Sequence, residues 1–194
     1  MLCVVRDAVV HVTAPPHLVD RVRRWAPSVS AVQDAGWWSE HLPGWSVVGP
    51  AVHSFADRVE PVASARIDVT VRPAQPGELR RLRDAVSEPE WVESGFAGDV
   101  EQAWVALDPG GRPLAAANLT RFAGMDADVG VLADPAARGR GVAVVVAATA
   151  ARDAVRQHGL VRWRALASNV ASRRLAHRLG FEDDAVEVVV RPPR

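Results

Sequence analysis

The stretch from residue 127 to residue 167 constrains the fold of this chain more than any other. An apolar run, "ADVGVLA" (127–133), has the composition of a buried strand and stops at an Asp-Pro pair. "GVAVVVAATAARDAVRQHG" (141–159) then has the apolar spacing of a helix that closes at its final glycine, and "LVRWRALA" (160–167) alternates like a strand. Because a helix connects the two strands, this succession predicts a crossover between parallel neighbours in one sheet.

The segments on either side predict that this sheet is mixed. "QAWVALD" (102–108) and "RPLAAANLTRF" (112–122) surround a Pro-Gly-Gly turn, which favours an antiparallel hairpin. Further strands are expected at "ARIDVTVR" (65–72) and "AVEVVVR" (185–191), and further helices at "PGELRRLRDAV" (76–86), "EWVESGF" (90–96) and "VASRRLAHRLG" (170–180). The fold class is therefore α/β, with an α+β mixed sheet.

The first 65 residues differ from the rest in composition. They contain a strand pattern in "AVVHV", helical patterns in "PHLVDRVRRWA" and "VQDAGWWSEHL", and two short extended pieces, "WSVVG" and "AVHSF". Four of the seven tryptophans lie here, which indicates either a small core or the aromatic wall of a pocket. We expect a small N-terminal accessory α/β segment at residues 1–65 and a second domain at residues 66–194.

Composition argues against several classes of protein. The 23 basic and 23 acidic side chains give zero net charge, which offers no support for nucleic-acid binding. Cys3 is the only cysteine and the histidines show no ligand spacing, so neither a disulfide nor a metal site is expected. The longest apolar run, residues 141 to 151, is too short to span a bilayer. We expect a cytoplasmic protein that binds neither nucleic acid nor membrane.

The loop between the first of these strands and the long helix is suited to binding a phosphate or pyrophosphate. Gly139 and Gly141 allow close approach of the backbone, Arg138 and Arg140 add positive charge, and the helix directs free N–H groups at the loop. A tight turn without a ligand would use the same residues. A Walker loop is excluded because the chain has no lysine, and a dinucleotide fingerprint because Val144 replaces its third small residue.

Two motifs resemble those of one enzyme superfamily. "VLADPAARGRGVA" (131–143) resembles the cofactor motif of the GNAT N-acetyltransferases, with Arg138, Gly141 and Ala143 at the defining places. "NVASRRLAHRLGF" (169–181) resembles the later motif of an asparagine, a short helix and a terminal Leu-Gly-Phe. "GPAVHSFAD" and "EWVESGF" are similar to segments of uncharacterised bacterial members. The resemblance covers roughly residues 66 to 194 and implies a GNAT fold with splayed central parallel strands.

The resemblance also implies a cosubstrate, acetyl-CoA, that lies where the two parallel strands separate. Its pantetheine would pair with the backbone of the first strand, and its pyrophosphate would bind the glycine-containing loop. A backbone N–H near Val131 or Leu132 would stabilise the oxyanion, a contribution of roughly 3 to 4 kcal/mol per donor. The residues expected beside the cofactor are Val131, Leu132, Ala133, Arg138, Gly139, Arg140, Gly141, Val142, Ala143, Asn169 and Ser172.

Two side chains are candidates for proton transfer. Glu93 is the predicted base, because its helix commonly forms the acceptor side in this family; an exposed carboxylate without a role is the alternative. The family's usual tyrosine acid is replaced by Ala176, so Ser172, or a water that it holds, is predicted to protonate the thiolate. Helical spacing predicts that His177 points away. Residues that suit proton transfer less well are Glu88, Glu90, Asp126, Asp128 and His53, the last interpreted as structural.

The leading function is N-acetyl transfer from acetyl-CoA to a primary amine of a small molecule or peptide. The alternative is a non-catalytic acyl-CoA-binding or regulatory module that keeps the cofactor loop without the chemistry. A third hypothesis makes the tryptophan-rich N-terminal segment a protein-interaction unit. The acceptor and the oligomeric state, a homodimer among the options, stay open.

Overall fold

The computed structural model describes residues 1–62 and 65–193 of the chain. These residues form nine β-strands and seven α-helices. The strands are β1 (Leu2–Arg6), β2 (Val9–Thr13), β3 (Ser46–Ala56), β4 (Thr70–Pro73), β5 (Val100–Leu107), β6 (Pro113–Phe122), β7 (Met125–Ala133), β8 (Val161–Leu166) and β9 (Glu182–Arg191). The helices are α1 (Val19–Trp25), α2 (Val29–Gln33), α3 (Ala35–His41), α4 (Pro76–Ala85), α5 (Glu88–Glu93), α6 (Val142–His158) and α7 (Val170–Arg178).

The chain forms two compact units. The first unit consists of residues 1–54, 165–170 and 183–194, and the second unit of residues 55–164 and 171–182. The second unit contains β7, α6 and the loop between them. The sequence-based boundary at residue 65 stays a prediction.

In the second unit the strands are hydrogen-bonded in the order β8-β7-β6-β5-β4. The strands from β4 to β7 pair antiparallel with their neighbours, whereas β7 and β8 pair parallel. The helix α6 connects the two parallel strands along the chain. The predicted mixed sheet and its parallel crossover are therefore confirmed.

Small side chains bring the helix α6 close to the strands of the second unit. α6 packs on β5, β6 and β7. The alanines of β6 and α6 that have no exposed surface are Ala115, Ala116 and Ala117 in β6 and Ala147, Ala148, Ala150, Ala151 and Ala154 in α6. Larger residues, among them Leu82 of α4 and Phe96 after α5, pack with Leu132 of β7. Close backbone approach at these alanines fixes the position of α6 by packing.

The first unit is built around tryptophan and aliphatic side chains, with strands in the order β2-β1-β9-β3. Trp38 is fully buried, and its indole N–H donates to the carbonyl of Val32 at 2.9 Å. Burial raises the pKa of the Cys3 thiol to about 11, which suits an inert structural cysteine. Trp38 therefore supports the interpretation of the tryptophan cluster as a core.

Two expectations for the first unit differ from the structure. The strand β1 was not predicted; it forms a hairpin with β2 through Asp7 and Ala8, both with positive φ. The helical pattern at 32–42 is two helices, α2 and α3, because Asp34 is extended and its carboxylate accepts the N–H of Gly36 at 2.8 Å. An aspartate N-cap thus starts a new helix within one apolar pattern.

Two strand boundaries also differ. The pieces "WSVVG" and "AVHSF" form one strand, β3, in which a Cβ at Gly49 would lie 2.7 Å from the carbonyl oxygen of Glu187. A residue with a Cβ at this position would clash with that carbonyl, so β3 requires glycine here. In "ARIDVTVR" the strand begins at Thr70, since the N–H of Arg66 donates to the carbonyl of Arg140 at 2.9 Å and is not part of β4.

Candidate active site

The loop that follows β7 is anchored by Asp134. Its carboxylate accepts the N–H of Ala136 at 2.8 Å and starts a 3₁₀ turn over Pro135–Ala137. Arg112, in the turn after β5, donates to the other carboxylate oxygen at 2.6 Å. Burial alone would raise the pKa of Asp134, but the hydrogen bonds from Arg112 and Ala136 outweigh burial and lower it. This ionised side chain fixes where the chain leaves the sheet.

Residues 138–143, which we call the glycine loop, begin with three exposed residues, 138 to 140. Gly139 has φ 74° and Gly141 has φ 82°, a left-handed conformation that side chains with a Cβ rarely adopt. Gly141 occupies the N-cap of α6, and no side chain of the described residues caps this end. At Gly139 no atom lies within 4 Å of the place a Cβ would take. The loop thus fits an anionic group bound by main-chain N–H groups.

The parallel pairing of β7 and β8 ends a few residues before the glycine loop. Within the described residues of the second unit, Asp128 pairs with Arg162 and Val129 with Trp163, and no later pair follows. The strand β7 nevertheless continues to Ala133. This is the separation of the central strands that the resemblance predicts, and it leaves residues 131–133 beyond the last pair.

The first residue beyond that pair is held by a buried amide, in an arrangement that we call the Gly130 junction (Ser94, Asn118 and Gly130). Asn118 has no exposed surface; its Oδ1 accepts the N–H of Gly130 at 3.0 Å, and its Nδ2 donates to the carbonyl of Ser94 at 3.1 Å. A Cβ on Gly130 would lie 2.0 Å from that carbonyl oxygen. The end of α5 therefore rests directly on the β7 backbone.

Ser172 is tied to the strand beside it. The indole N–H of the buried Trp163 donates to Ser172 Oγ at 3.0 Å, and Trp163 belongs to the last pair between β7 and β8. On the same helix, Ala176 is buried whereas His177 is exposed, as the helical spacing predicts. Asn169 directly precedes α7, and its own N–H donates to the carbonyl of Leu166 at 2.9 Å.

The acidic candidates differ in their surroundings. Glu93 is the exposed last residue of α5 and directly precedes Ser94 of the Gly130 junction. Asp128 accepts two hydrogen bonds from Arg162, at 2.8 and 2.7 Å, and the guanidinium lies 4.0 Å from the ring centre of Phe122. Asp128 is therefore engaged in a structural ion pair across the parallel strands.

Glu90 contacts the first residue of the glycine loop. Arg138 donates to its Oε1 at 2.6 Å, and the N–H and hydroxyl of Ser87 donate to its Oε2 at 3.0 and 2.8 Å. These bonds, the backbone bond from Ser87 foremost, lower the pKa of Glu90 to about 2. Arg138 also donates to the carbonyl of Ala133 at 3.4 Å.

The other titratable groups that the structure describes do not assemble a metal centre. No group of three or more His, Cys, Asp or Glu side chains in residues 1–62 and 65–193 could hold a metal ion. His53 is buried, with Nε2 3.4 Å from an oxygen of Glu187, and the described part of the chain offers that nitrogen no hydrogen-bond acceptor of good geometry. Each helix within those ranges is too short or too polar to span a lipid bilayer.

Residues 59–182 match the family described as acetyltransferase (GNAT) domain. The chain belongs to the GNAT acetyltransferase family. The match covers more than half of the chain and contains β7, the glycine loop, α6 and α7. Members of this GNAT family transfer an acyl group from acyl-CoA. No curated protein matches the chain.

Solved structures share the GNAT fold at low sequence identity. A Drosophila protein is 16% identical with a TM-score of 0.61, over 94% of this chain and 60% of its own. A GCN5-related N-acetyltransferase from Kribbella flavida is 21% identical with a TM-score of 0.53, over 82% of this chain and 63% of its own. An acetyltransferase of the GNAT family from Colwellia psychrerythraea is 15% identical with a TM-score of 0.57, over 97% of this chain and 80% of its own. This GNAT chain thus spans less than two thirds of the length of the Drosophila protein and of the Kribbella flavida protein.

The Gly130 junction was not predicted from the sequence, although its residues carry signals. Asn118 is a lone amide within the apolar run of β6, and a glycine inside a strand such as Gly130 marks a close backbone approach. Nothing in the sequence indicated that Glu90 contacts Arg138, since 48 residues separate them along the chain.

Proposed function

We propose that this protein is an N-acetyltransferase that moves an acetyl group from acetyl-CoA to a primary amine by direct transfer. The observation that carries the proposal is the order of features along β7, in which the strand residues beyond Val129 pair with β6 but no longer with β8 and lead into the glycine loop and α6. An extended acyl-pantetheine chain needs backbone groups of a strand, and the pyrophosphate that follows needs N–H groups at a helix start.

The proposed binding residues divide by the part of acetyl-CoA that they contact. Backbone groups of Val131, Leu132 and Ala133 bind the pantetheine and direct an N–H at the thioester oxygen. Asn169 donates a hydrogen bond to the pantetheine or its phosphate. The pyrophosphate binds the glycine loop, whose residues are Arg138, Gly139, Arg140, Gly141, Val142 and Ala143.

The proposed reaction needs two proton transfers. The amine nitrogen attacks the thioester carbonyl carbon, the carbon–sulfur bond breaks, the nitrogen loses a proton and the thiolate gains one. Glu93 takes the first proton; its exposure and its place next to the Gly130 junction support this role. Ser172, or a water that it holds, gives the second. The Trp163 N–H on Ser172 Oγ supports this role, because a hydrogen bond accepted by a hydroxyl strengthens it as a donor.

The function is tested by the release of free CoA from acetyl-CoA in the presence of aminoglycosides, polyamines, amino acids and peptides. Amine-dependent release, together with an acetylated product in mass spectrometry, is the expected result. Binding of acetyl-CoA without turnover on any amine would favour the non-catalytic acyl-CoA-binding module. Absence of binding would reject both.

Ser172→Ala and His177→Ala distinguish the proposed acid from its neighbour. We expect Ser172→Ala to lower kcat with little change in CoA affinity, and His177→Ala to behave like the wild type. The loss should be partial, because a thiol pKa of roughly 8.5 makes thiolate a tolerable leaving group. Steady-state kinetics with the amine that gives the highest activity measure the effect of each variant. The opposite ranking would refute the assignment, and equal indifference would indicate proton delivery by bulk water.

A further inference from the structure

Arg138, the first residue of the glycine loop, is hydrogen-bonded to other groups of the protein. The guanidinium of Arg138 donates to Glu90 Oε1 at 2.6 Å and to the carbonyl of Ala133 at 3.4 Å. One side chain therefore joins the last residue of β7, the glycine loop and the helix α5. Arg140 is exposed, and its guanidinium has no partner among residues 1–62 and 65–193.

Glu90 is itself held in a fixed position. It is the third residue of a capping box at the start of α5, in which its Oε2 accepts from Ser87 and the Ser87 hydroxyl accepts the N–H of Glu90. Its second oxygen is thereby left for Arg138. The carboxylate stays ionised across the pH range in which proteins are handled, since its pKa is about 2.

We propose that Glu90 is a positioning residue for acyl-CoA, which holds Arg138 against the end of β7 so that the glycine loop keeps the conformation that receives the pyrophosphate. The inference rests on the proposed function. In this arrangement Arg138 shapes the loop, and Arg140 supplies the loop's available positive charge. Because α5 also carries Glu93, the same contact links the acceptor side of the site to the cofactor side.

Simple electrostatics gives the opposite prediction. A carboxylate near a bound pyrophosphate repels it, so removal of the Glu90 charge would strengthen CoA binding if charge alone mattered. Positioning predicts weaker binding, because a released Arg138 no longer fixes the loop. The sign of the change therefore separates the two explanations.

The test is the Kd of CoA, measured by calorimetry, for the wild type, Glu90→Gln and Glu88→Gln. Glu88 lies on the same helix and pairs with Arg83, so its variant removes the same charge without touching the loop. We expect Glu90→Gln to weaken binding about three- to tenfold, the scale of a partly exposed ion pair that orders a loop, and Glu88→Gln to change it less than about twofold.

Arg138→Ala and the double variant Glu90→Gln/Arg138→Ala complete a double-mutant cycle. Arg138→Ala should weaken binding as much as Glu90→Gln, and the double variant no more than either, because both changes break one contact. Arg140→Ala should cause a separate loss of CoA affinity and should reduce the salt dependence of CoA binding. In kinetics, Glu90→Gln should raise KM for acetyl-CoA and leave kcat unchanged, and Glu90→Asp should restore part of the affinity.

The outcomes separate this inference from the proposed function. If the wild type binds CoA and Glu90→Gln binds it equally or more tightly, the positioning role is overturned. Additive losses in the double variant would do the same. Failure of the wild type to bind CoA or acetyl-CoA would instead refute the proposed function.

Discussion

Glycine serves opposite purposes in the Gly130 junction and in the glycine loop. At Gly130 the carbonyl of Ser94 occupies the space that a Cβ would need, so the absence of a side chain lets two backbones touch. At Gly139 the same space is empty, and the residue is needed for its left-handed φ of 74°. The junction is closed by protein atoms, whereas the space beside Gly139 in the loop is open, so the junction should determine stability and the loop should determine binding.

The largest expected effect is the loss of stability in Gly130→Ala. A Cβ there would lie 2.0 Å from the Ser94 oxygen and 2.4 Å from Asn118 Oδ1, so the backbone of α5 or β7 must move. We expect the free energy of unfolding to fall by about 3 kcal/mol or more, measured by denaturant unfolding.

Gly77→Ala is the matched control for Gly130→Ala. Gly77 lies in α4, no atom lies within 4 Å of its added Cβ, and its φ is not positive. Alanine there should be neutral or stabilise by up to about 1 kcal/mol through lower entropy of the unfolded chain. Equal stability of the two variants would show that the junction is not closed as described.

Asn118→Ala should have the next largest effect. The change removes both hydrogen bonds of a fully buried amide and leaves the Gly130 N–H and the Ser94 carbonyl without that partner. We expect a loss of about 2 to 3 kcal/mol in thermal or denaturant unfolding. Ser94→Ala keeps the backbone carbonyl and should cost clearly less; a larger loss from Ser94→Ala would contradict the bridging role of Asn118.

Gly141→Val should affect binding far more than stability. The φ of 82° makes any Cβ unfavourable by roughly 1 to 2 kcal/mol, which the fold should tolerate. The side chain would stand at the start of α6, where the pyrophosphate is proposed to bind, so CoA should no longer raise the melting temperature of the folded variant.

Gly159→Val provides the control at the other end of the same helix. Gly159 has φ 73° with no atom within 4 Å of an added Cβ, so the conformational cost is similar. It lies outside the proposed site, and CoA should stabilise this variant as it stabilises the wild type. Unchanged CoA affinity in folded Gly141→Val would remove the glycine loop from the proposal.

The elements of the second unit were largely predictable because their signals are local. The apolar spacing of α6, its glycine at the C-cap and the alternation of β8 depend on residues within a few positions of one another. Local signals failed where a contact from elsewhere decided the conformation, as at residues 65–69, where the N–H of Arg66 binds the carbonyl of Arg140.

The mixed α/β class, the parallel crossover and the glycine loop with its two arginines could all be predicted from the sequence. Two contacts became visible only in the folded chain: Asn118 fastens Gly130 to the end of α5, and Glu90 holds Arg138. Periodicity and turn chemistry act between near neighbours and leave a mark in the sequence. Which distant side chains meet depends on strand register and helix packing, and a glutamate in a capping box looks the same whether or not an arginine 48 residues away reaches it.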